Sequence, residues 1–445
     1  MGDDNRPVGD LPVLIRGGRV VDPSRRLDQT LDVLLRDGVV AKVDERIAPP
    51  KGAEVVDGAG FVVAPGFVDI HAHLREPGFE YKETIATGTA AAAAGGFSTV
   101  CSMANTDPVT DDAPTVAFVV RRARETGRVR VHSIGAVSKG QKGEQLAEIG
   151  SMKAEGIVAL SDDGGRPVVD AGLMRRALEY ASMFDLPVVV HEEDPALVRG
   201  GVMNEGWVST RLGLAGWPPA AEAVMVARDI QIAALAKGRL HVAHVSTRES
   251  LDAIRNGRRH GIDVTCEVTP HHMTLTDEEV ARSGYDTRFK VNPPLRSEAD
   301  RAALVAALAD GTIDCVATDH APHHADEKAL EFADAPFGVI GLETALPVLV
   351  DALLVPKHVS LMRLVEVLAT APARVFGLPY GTLADGAPGD VVLFSTTRST
   401  HVTPDGFHSK ARNSPWIART LKGRVERTWV AGREVFARTA SGGGR

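Results

Sequence analysis

Cysteine is scarce in this chain. Its 445 residues include three: Cys101, Cys266 and Cys315, far apart and each inside an apolar, strand-like run. An odd, scattered set excludes a disulfide framework and reads as buried reduced thiols, which fits a reducing cytosol. No uninterrupted apolar stretch approaches the ~20 residues that a membrane span needs; the alanine run at 90–94 stops at Gly95-Gly96. The N-terminal MGDDNRPVGD has neither the basic start nor the apolar run of a secretory signal. Positive charge is not in excess: 50 Lys and Arg stand against 58 Asp and Glu, a formal charge of −8. That argues against the cationic face a nucleic acid or an anionic membrane would need, though not against a small anionic substrate. No Gly-x-Gly-x-x-Gly follows a strand as a dinucleotide fold requires. The expectation is a soluble, cytoplasmic protein acting on a small molecule, with no nucleic-acid or membrane partner.

What is present has a clear texture. Hydrophobic residues make up 44% and charged residues 24%, ordinary for a globular protein. Residues 1–64 read as short strands separated by Gly-Gly, Asp-Gly and Gly-Ala-Gly turns, a β-rich unit too short to bury a good core alone. From residue 65 to 378, strands alternate with helical stretches: GFVDIHAH with ATGTAAAAA, FSTVCSMA with VAFVVRRARE, VRVHSIGAV with EQLAEIGSMKAEG, GIVALSD with AGLMRRALEYASMF, LPVVVHEE with AEAVMVARDIQIAALAKG, and RLHVAHVS with RESLDAIRNGRRHG, followed by IDVTCEVTP and TIDCVATDH. Repeated βα units of that extent predict an α/β protein built on a (β/α)8 TIM barrel. Residues 379–445 return to strands and turns, so the two flanks are expected to complete one composite β-rich domain, a small sandwich shared by both ends.

The chemistry lies where these strands end, the place where a barrel of this kind carries its reactive groups. His71 and His73 close the first strand, two apart and therefore on one face. Asp162-Asp163-Gly164 ends GIVALS, His191 ends LPVVV, His244 ends HVAHVS, and Asp319 follows CVAT. His241, three residues before His244, is expected on the opposite face as a structural residue. Each group alone has a plain explanation, a turn aspartate or a packing histidine. Four imidazoles and two carboxylate positions at equivalent strand ends point instead to a metal centre. Such ligands suit zinc, and two ions ~3.5–4 Å apart would allow a bridging hydroxide.

The fragments PGFVDIHAHLREPG, MANTDP, DDG, HVAHVST, TPHH, VNPPLR and ATDHAPH together resemble the bacterial type I dihydroorotases of the amidohydrolase superfamily. The resemblance spans residues 65 to 341 and extends into the flanking β unit. It implies a metal-dependent enzyme that interconverts N-carbamoyl-L-aspartate and L-dihydroorotate in pyrimidine biosynthesis, with two zinc ions per subunit. By resemblance His71 and His73 hold the first metal, Asp163 bridges, His191 and His244 hold the second, and Asp319 is both a first-metal ligand and the general acid/base. The substrate contacts implied are His73, Arg75, Asn105, Asn292, His323 and the backbone at Phe337-Gly338. Relatives such as hydantoinases and allantoinases bridge their metals with a carboxylated lysine on the fourth strand; here that strand has none, and Lys153 lies on the preceding helical stretch. A homo-oligomer and a partnership with aspartate transcarbamoylase are also implied, and an inactive scaffold subunit of that enzyme is the non-catalytic alternative. His271 and His272 are read as neighbours of the site rather than ligands. Asp111, Asp112 and Asp277-Glu278-Glu279 read as solvated helix-start charges, and His323–Ala335 as a lid.

Overall fold

The computed structural model describes residues 11–438; MGDDNRPVGD, read above for what it lacks as a signal, lies outside them. Eight parallel strands follow one another around a barrel: β1 (Phe67–Ala72), β2 (Phe97–Ser102), β3 (Arg130–Gly135), β4 (Ala159–Ser161), β5 (Val188–Val190), β6 (Leu240–Val242), β7 (Val264–Val268) and β8 (Cys315–Val316). Residues beyond β8 close the ring, with a bridge between Ala72 and His320 and the His73 amide donating to the His320 carbonyl at 2.9 Å. Alternation within the strands explains both layers. Leu160, Val188, Val190, Leu240, Val242, Val264, Cys266 and Val268 face the surrounding helices. Val68, Ile70, Cys101, Ile134, Ala159, Val189, Ala243 and Cys315 fill the inside. The helix Ala371–Val375 packs on that inner cluster from below, tied there by Arg239, just before β6, which donates to the Val375 carbonyl at 2.6 Å.

The connecting helices start at polar caps that the sequence supplies. Asp112, Asp170, Thr247 and Ser297 each accept from the backbone N–H three residues on, opening helices Ala113–Thr126, Ala171–Ser182, Arg248–Arg259 and Glu298–Asp310, worth about 1 kcal/mol apiece. One expected helix is shorter than its pattern. Of EQLAEIGSMKAEG only Ile149–Ala154 is helical, because the preceding backbone is used by the loop after β3: Ala147 N–H bonds Val137 and Lys139 N–H bonds Gln145.

The flanks form a single eight-stranded sheet. Strand 62–65 lies between the two ends of the chain, parallel to Val13–Asp22 and antiparallel to Val391–His401, with Leu393 opposite Val63 and Val391 opposite Pro65. One face buries Ile15, Val20, Val33, Leu35, Val63, Leu393 and Trp429 together, which neither flank could enclose alone. Only Gly66 separates this sheet from β1, so the first strand of the barrel is anchored to it directly.

Candidate metal centre and active site

The six nominated metal-binding side chains meet above the inner cluster, and local backbone decides how each one gets there. In β4, Ala159 faces in and Leu160 out, so alternation sends Asp163 in and Asp162 out. Asp162 instead accepts from the amides of Val137 and Ser138 at 2.8 and 3.0 Å and from the Ser138 hydroxyl, and burial pushes its pKa up to about 6. In β1, Val68 and Ile70 already face inward, so strict alternation would turn His71 away. A register shift between Asp69 and Ala72 re-aims it. His244 lies past the end of β6 with φ +31°, and Asp319 past β8 with φ +46°. Both are left-handed conformations that cost roughly 1–3 kcal/mol each and are held by their surroundings.

The resulting geometry is two groups that share Asp163. His71 Nε2 lies 3.3 Å from Asp163 Oδ2 and 3.5 Å from Asp319 Oδ1; His73 Nε2 lies 3.3 and 3.1 Å from the same two oxygens. On the other side of the carboxylate, Asp163 Oδ1 is 2.6 Å from His191 Nδ1 and 3.2 Å from His244 Nε2, and those two nitrogens are 2.9 Å apart. Zinc bonds of ~2.0–2.2 Å in a tetrahedron put neighbouring ligand atoms roughly 3.3–3.5 Å apart, so the first group has the spacing of a coordination shell. Two imidazole nitrogens and a carboxylate oxygen aimed at one point suit a shared cation in the second group as well. All six side chains are at most slightly exposed. Burial alone would raise the Asp163 pKa, yet the surrounding His71, His191 and His244 hold it well below the ordinary value. Burial would lower His191, and Asp163 with Glu193 brings it up to about 10 instead. The pocket is one in which positive charge is strongly favoured.

The nominated substrate residues border this centre. Arg75, at φ +64°, is buried with its Nε donating to the Pro322 carbonyl at 3.1 Å and one terminal nitrogen 3.4 Å from His323 Nε2. Asn105 Oδ1 accepts from His73 Nδ1 at 2.8 Å. Asn292 Nδ2 donates to Glu193, which also lies 3.4 Å from His191 Nε2. Gly338 packs against His323, and the Lys290 ammonium sits 4.5 Å over the Phe337 ring. Asn105 and Asn292 thus connect to the cluster through His73 and through Glu193 and His191, while Arg75, His323 and Gly338 form a separate group of contacts.

A family model described as dihydro-orotase-like matches residues 60–250. The dihydroorotase of Anaeromyxobacter dehalogenans strain 2CP-1 is 55% identical over 423 residues, 95% of this chain and 97% of that protein. The dihydroorotase of Solibacter usitatus is 49% identical over 431 residues, 97% of this chain and 99% of the other. The chain belongs to the dihydroorotase family. Among solved structures, L-hydantoinase (dihydropyrimidinase) from Arthrobacter aurescens is similar over 98% of this chain and 97% of its own, with a TM-score of 0.87 and 25% identity. Dihydropyrimidinase from Brevibacillus agri has a TM-score of 0.83 at 24% identity, over 96% and 95%, a likeness of fold alone. The barrel with a β-rich flank is therefore the architecture that this dihydroorotase family member shares with the L-hydantoinase and the dihydropyrimidinase.

Some neighbours of the centre escape a reading of the sequence. Glu267, in mid-β7, contacts His71 Nδ1 at 2.7 Å, and Glu193 backs His191. The available signal for Glu267 is a lone carboxylate inside the strand VTCEV, which a buried strand tolerates only with partners. His241 does not face away from the site. Regular alternation turns it into the barrel, 3.2 Å from Glu267, and the left-handed turn at His244 brings the later histidine to the same side. Asp277 is not solvated: it is buried and accepts from Asn204 Nδ2 at 2.9 Å. Asp112 is a helix cap. His271 is buried near Asp319 and His244, with burial lowering its pKa to about 4. The segment after His323 holds the short helix Ala325–Lys328, tied by Glu327 to Lys82 at 2.9 Å and by Lys328 to the carbonyls of Pro336 and Gly338.

Proposed function

We propose that this chain catalyses the reversible ring closure of N-carbamoyl-L-aspartate to L-dihydroorotate, a step of pyrimidine biosynthesis, at the centre formed by His71, His73, Asp163, His191, His244 and Asp319. The observation that carries this reading is the pair of donor groups sharing Asp163, beside a buried arginine, in a member of the dihydroorotase family. We assign two zinc ions to it, the first with His71, His73, Asp163 and Asp319 and the second with Asp163, His191 and His244. When bound, such ions supply Lewis acidity toward the ring carbonyl and lower the pKa of water toward ~7.

The protein's own groups do the rest. Arg75 has its Nε engaged by Pro322, which leaves terminal N–H groups to fork onto the substrate carboxylate, a geometry lysine cannot reproduce. His323 and Asn105 flank that carboxylate. With its Oδ1 committed to His73, Asn105 keeps its amide N–H groups for substrate. Asn292 and the backbone at Phe337-Gly338 hold the pyrimidine ring. During ring opening the water oxygen bonds to the ring carbonyl carbon and the carbon–nitrogen bond breaks. Asp319 takes the proton from the water and returns it to the departing nitrogen; ring closure runs the same transfers backward. Although burial would raise its pKa, the imidazoles around Asp319 hold it below the ordinary carboxylate value, so it stands ionised and ready to accept.

We further assign the protein to the cytoplasm, as a homo-oligomer with aspartate transcarbamoylase as a candidate partner; among the described residues no helix is long and apolar enough to cross a membrane. The test is metal depletion followed by reconstitution with zinc, assayed with dihydroorotate, carbamoyl-aspartate, dihydrouracil and allantoin. Zinc-dependent turnover of the first two is expected. Turnover confined to dihydrouracil or allantoin would refute the assignment in favour of a hydantoinase-like activity, and absence of both metal and turnover would favour a scaffold.

A further inference from the structure

Glu267 stands between two buried imidazoles on the barrel interior. Its Oε1 lies 2.7 Å from His71 Nδ1 and its Oε2 3.2 Å from His241 Nε2, while His241 Nδ1 lies 2.8 Å from Thr265 Oγ1. Glu267 is 1% exposed and both histidines 0%. An ionised carboxylate only accepts hydrogen bonds, so the nitrogens that face it carry the protons. For His71 that leaves Nε2 with its lone pair, and Nε2 is the atom turned toward Asp163 and Asp319. The Thr265 hydroxyl then donates to His241 Nδ1, and Glu267 is gripped from both ends.

We propose that Glu267 is a positioning residue for the metal centre: through His71 Nδ1–H it fixes the tautomer and plane of that imidazole and places a negative charge behind it, selectively tightening the first metal position. Carboxylate-backed histidine ligands are stronger donors held in one orientation, and loss of such a partner typically weakens metal binding 10–100-fold. The other imidazoles are backed differently. His73 meets the neutral amide of Asn105, His191 meets the more open Glu193 at 3.4 Å, and His244 Nδ1 has no partner among the described residues. The Glu267 contribution is therefore confined to one of the two positions. The inference rests on His71 and His73 being ligands, as proposed above.

Zinc-loaded protein titrated with a chelator, with metal content per chain measured, tests it without reference to turnover. Glu267→Gln keeps the size of the side chain and removes its charge. It should release one ion at a 10–100-fold lower chelator strength and hold the other as the parent protein does, and in cobalt-substituted protein the visible bands of that one ion should move. Glu267→Asp keeps the buried charge and withdraws it by one methylene; it should show the same selective loss, which covers the case in which the glutamine variant does not fold. Unchanged release and an unchanged cobalt spectrum in the folded variant, with His73→Ala losing one ion, would overturn the role of Glu267 and leave the ligand assignment standing. A full metal complement in His73→Ala would overturn the ligand assignment, and this inference with it.

Discussion

A single methyl group at Gly164 offers a sharp test of how the centre is supported. Gly164 follows Asp163 at φ +76°, and a Cβ there would collide with Asn105 Nδ2 and lie 2.7 Å from its Cγ. Ordinary contact distance is roughly 3.5 Å, so the Asn105 amide has to retreat by about 1 Å or more. That breaks its 2.8 Å hydrogen bond to His73 and withdraws its N–H groups from the proposed substrate position. Misplacement on the order of 1 Å in a site of this kind costs ~100-fold in rate. Gly261 supplies the control: it has the same φ of +76°, and a methyl group added there would meet nothing within 4 Å. Alanine at either position carries the left-handed strain of about 1 kcal/mol, but only Gly164→Ala meets Asn105. In urea unfolding, Gly261→Ala should lose about 1 kcal/mol and Gly164→Ala somewhat more. In the dihydroorotate assay, Gly261→Ala should keep parental kcat/KM and Gly164→Ala should fall ~100-fold. If the two variants were equally active, Asn105 would not support the centre in the way described.

Replacing Asp319 with Asn removes the group proposed to carry the proton, and kcat should fall ~10²–10⁴-fold with the circular dichroism spectrum unchanged; near-normal kcat would assign the proton transfer elsewhere. Arg75→Lys forfeits the forked hydrogen bonds, so KM for carbamoyl-aspartate should rise roughly 10–100-fold, and an equal KM would mean that Arg75 does not bind the carboxylate. Lys328 gives up its proton at a lower pH than a surface lysine does. Burial lowers its pKa to about 7, while in the unfolded chain it stays near ~10.4. Between those values the unfolded state binds more protons, so this residue makes the protein more stable as pH rises, by at most ~1.4 kcal/mol per pH unit. Urea unfolding between about pH 7.5 and 9.5 should therefore show a steeper rise with pH for the parent than for Lys328→Met, and parallel slopes would contradict it.

Much of this is legible in the sequence because two periodicities carry it. Strand alternation and strand-end chemistry locate Asp163, His191 and Asp319, strand-end chemistry alone locates His71, and the pattern change near residues 65 and 378 announces the barrel and its shared flank. The neighbouring aspartates are separable only once Ala159 is known to face inward, because parity needs a reference point and a single strand does not supply one. The expectation for His241 fails for another reason. Parity is valid within β6, but His244 lies beyond it at a positive φ, and no local pattern marks a non-glycine residue that will adopt that conformation. Glu267 shows in the sequence only as a carboxylate inside an apolar strand, with nothing to say what it meets. Its partners are distant in sequence: pairing of β6 with β7 brings His241 within 3.2 Å of it, and closure of the barrel brings His71 within 2.7 Å. Asp277 reads as a solvated cap because its partner Asn204 lies in the β-paired excursion after β5, which carries too little periodicity to be read.

The position of strand 62–65 has a consequence for how the protein is made. That strand completes its hydrogen bonds only when residues 391–394 arrive, and at ~5–20 residues per second a ribosome delivers them tens of seconds later. Throughout that interval the strand leading into β1 presents an unpaired edge, Val62 to Pro65, on a nascent chain that already contains His71 and His73. Chains released before about residue 391 would keep this edge permanently, and unpaired apolar edges recruit other chains. Premature termination in the last part of the gene is therefore expected to give aggregation rather than a shortened but intact barrel, although every residue of the metal centre has by then been synthesised.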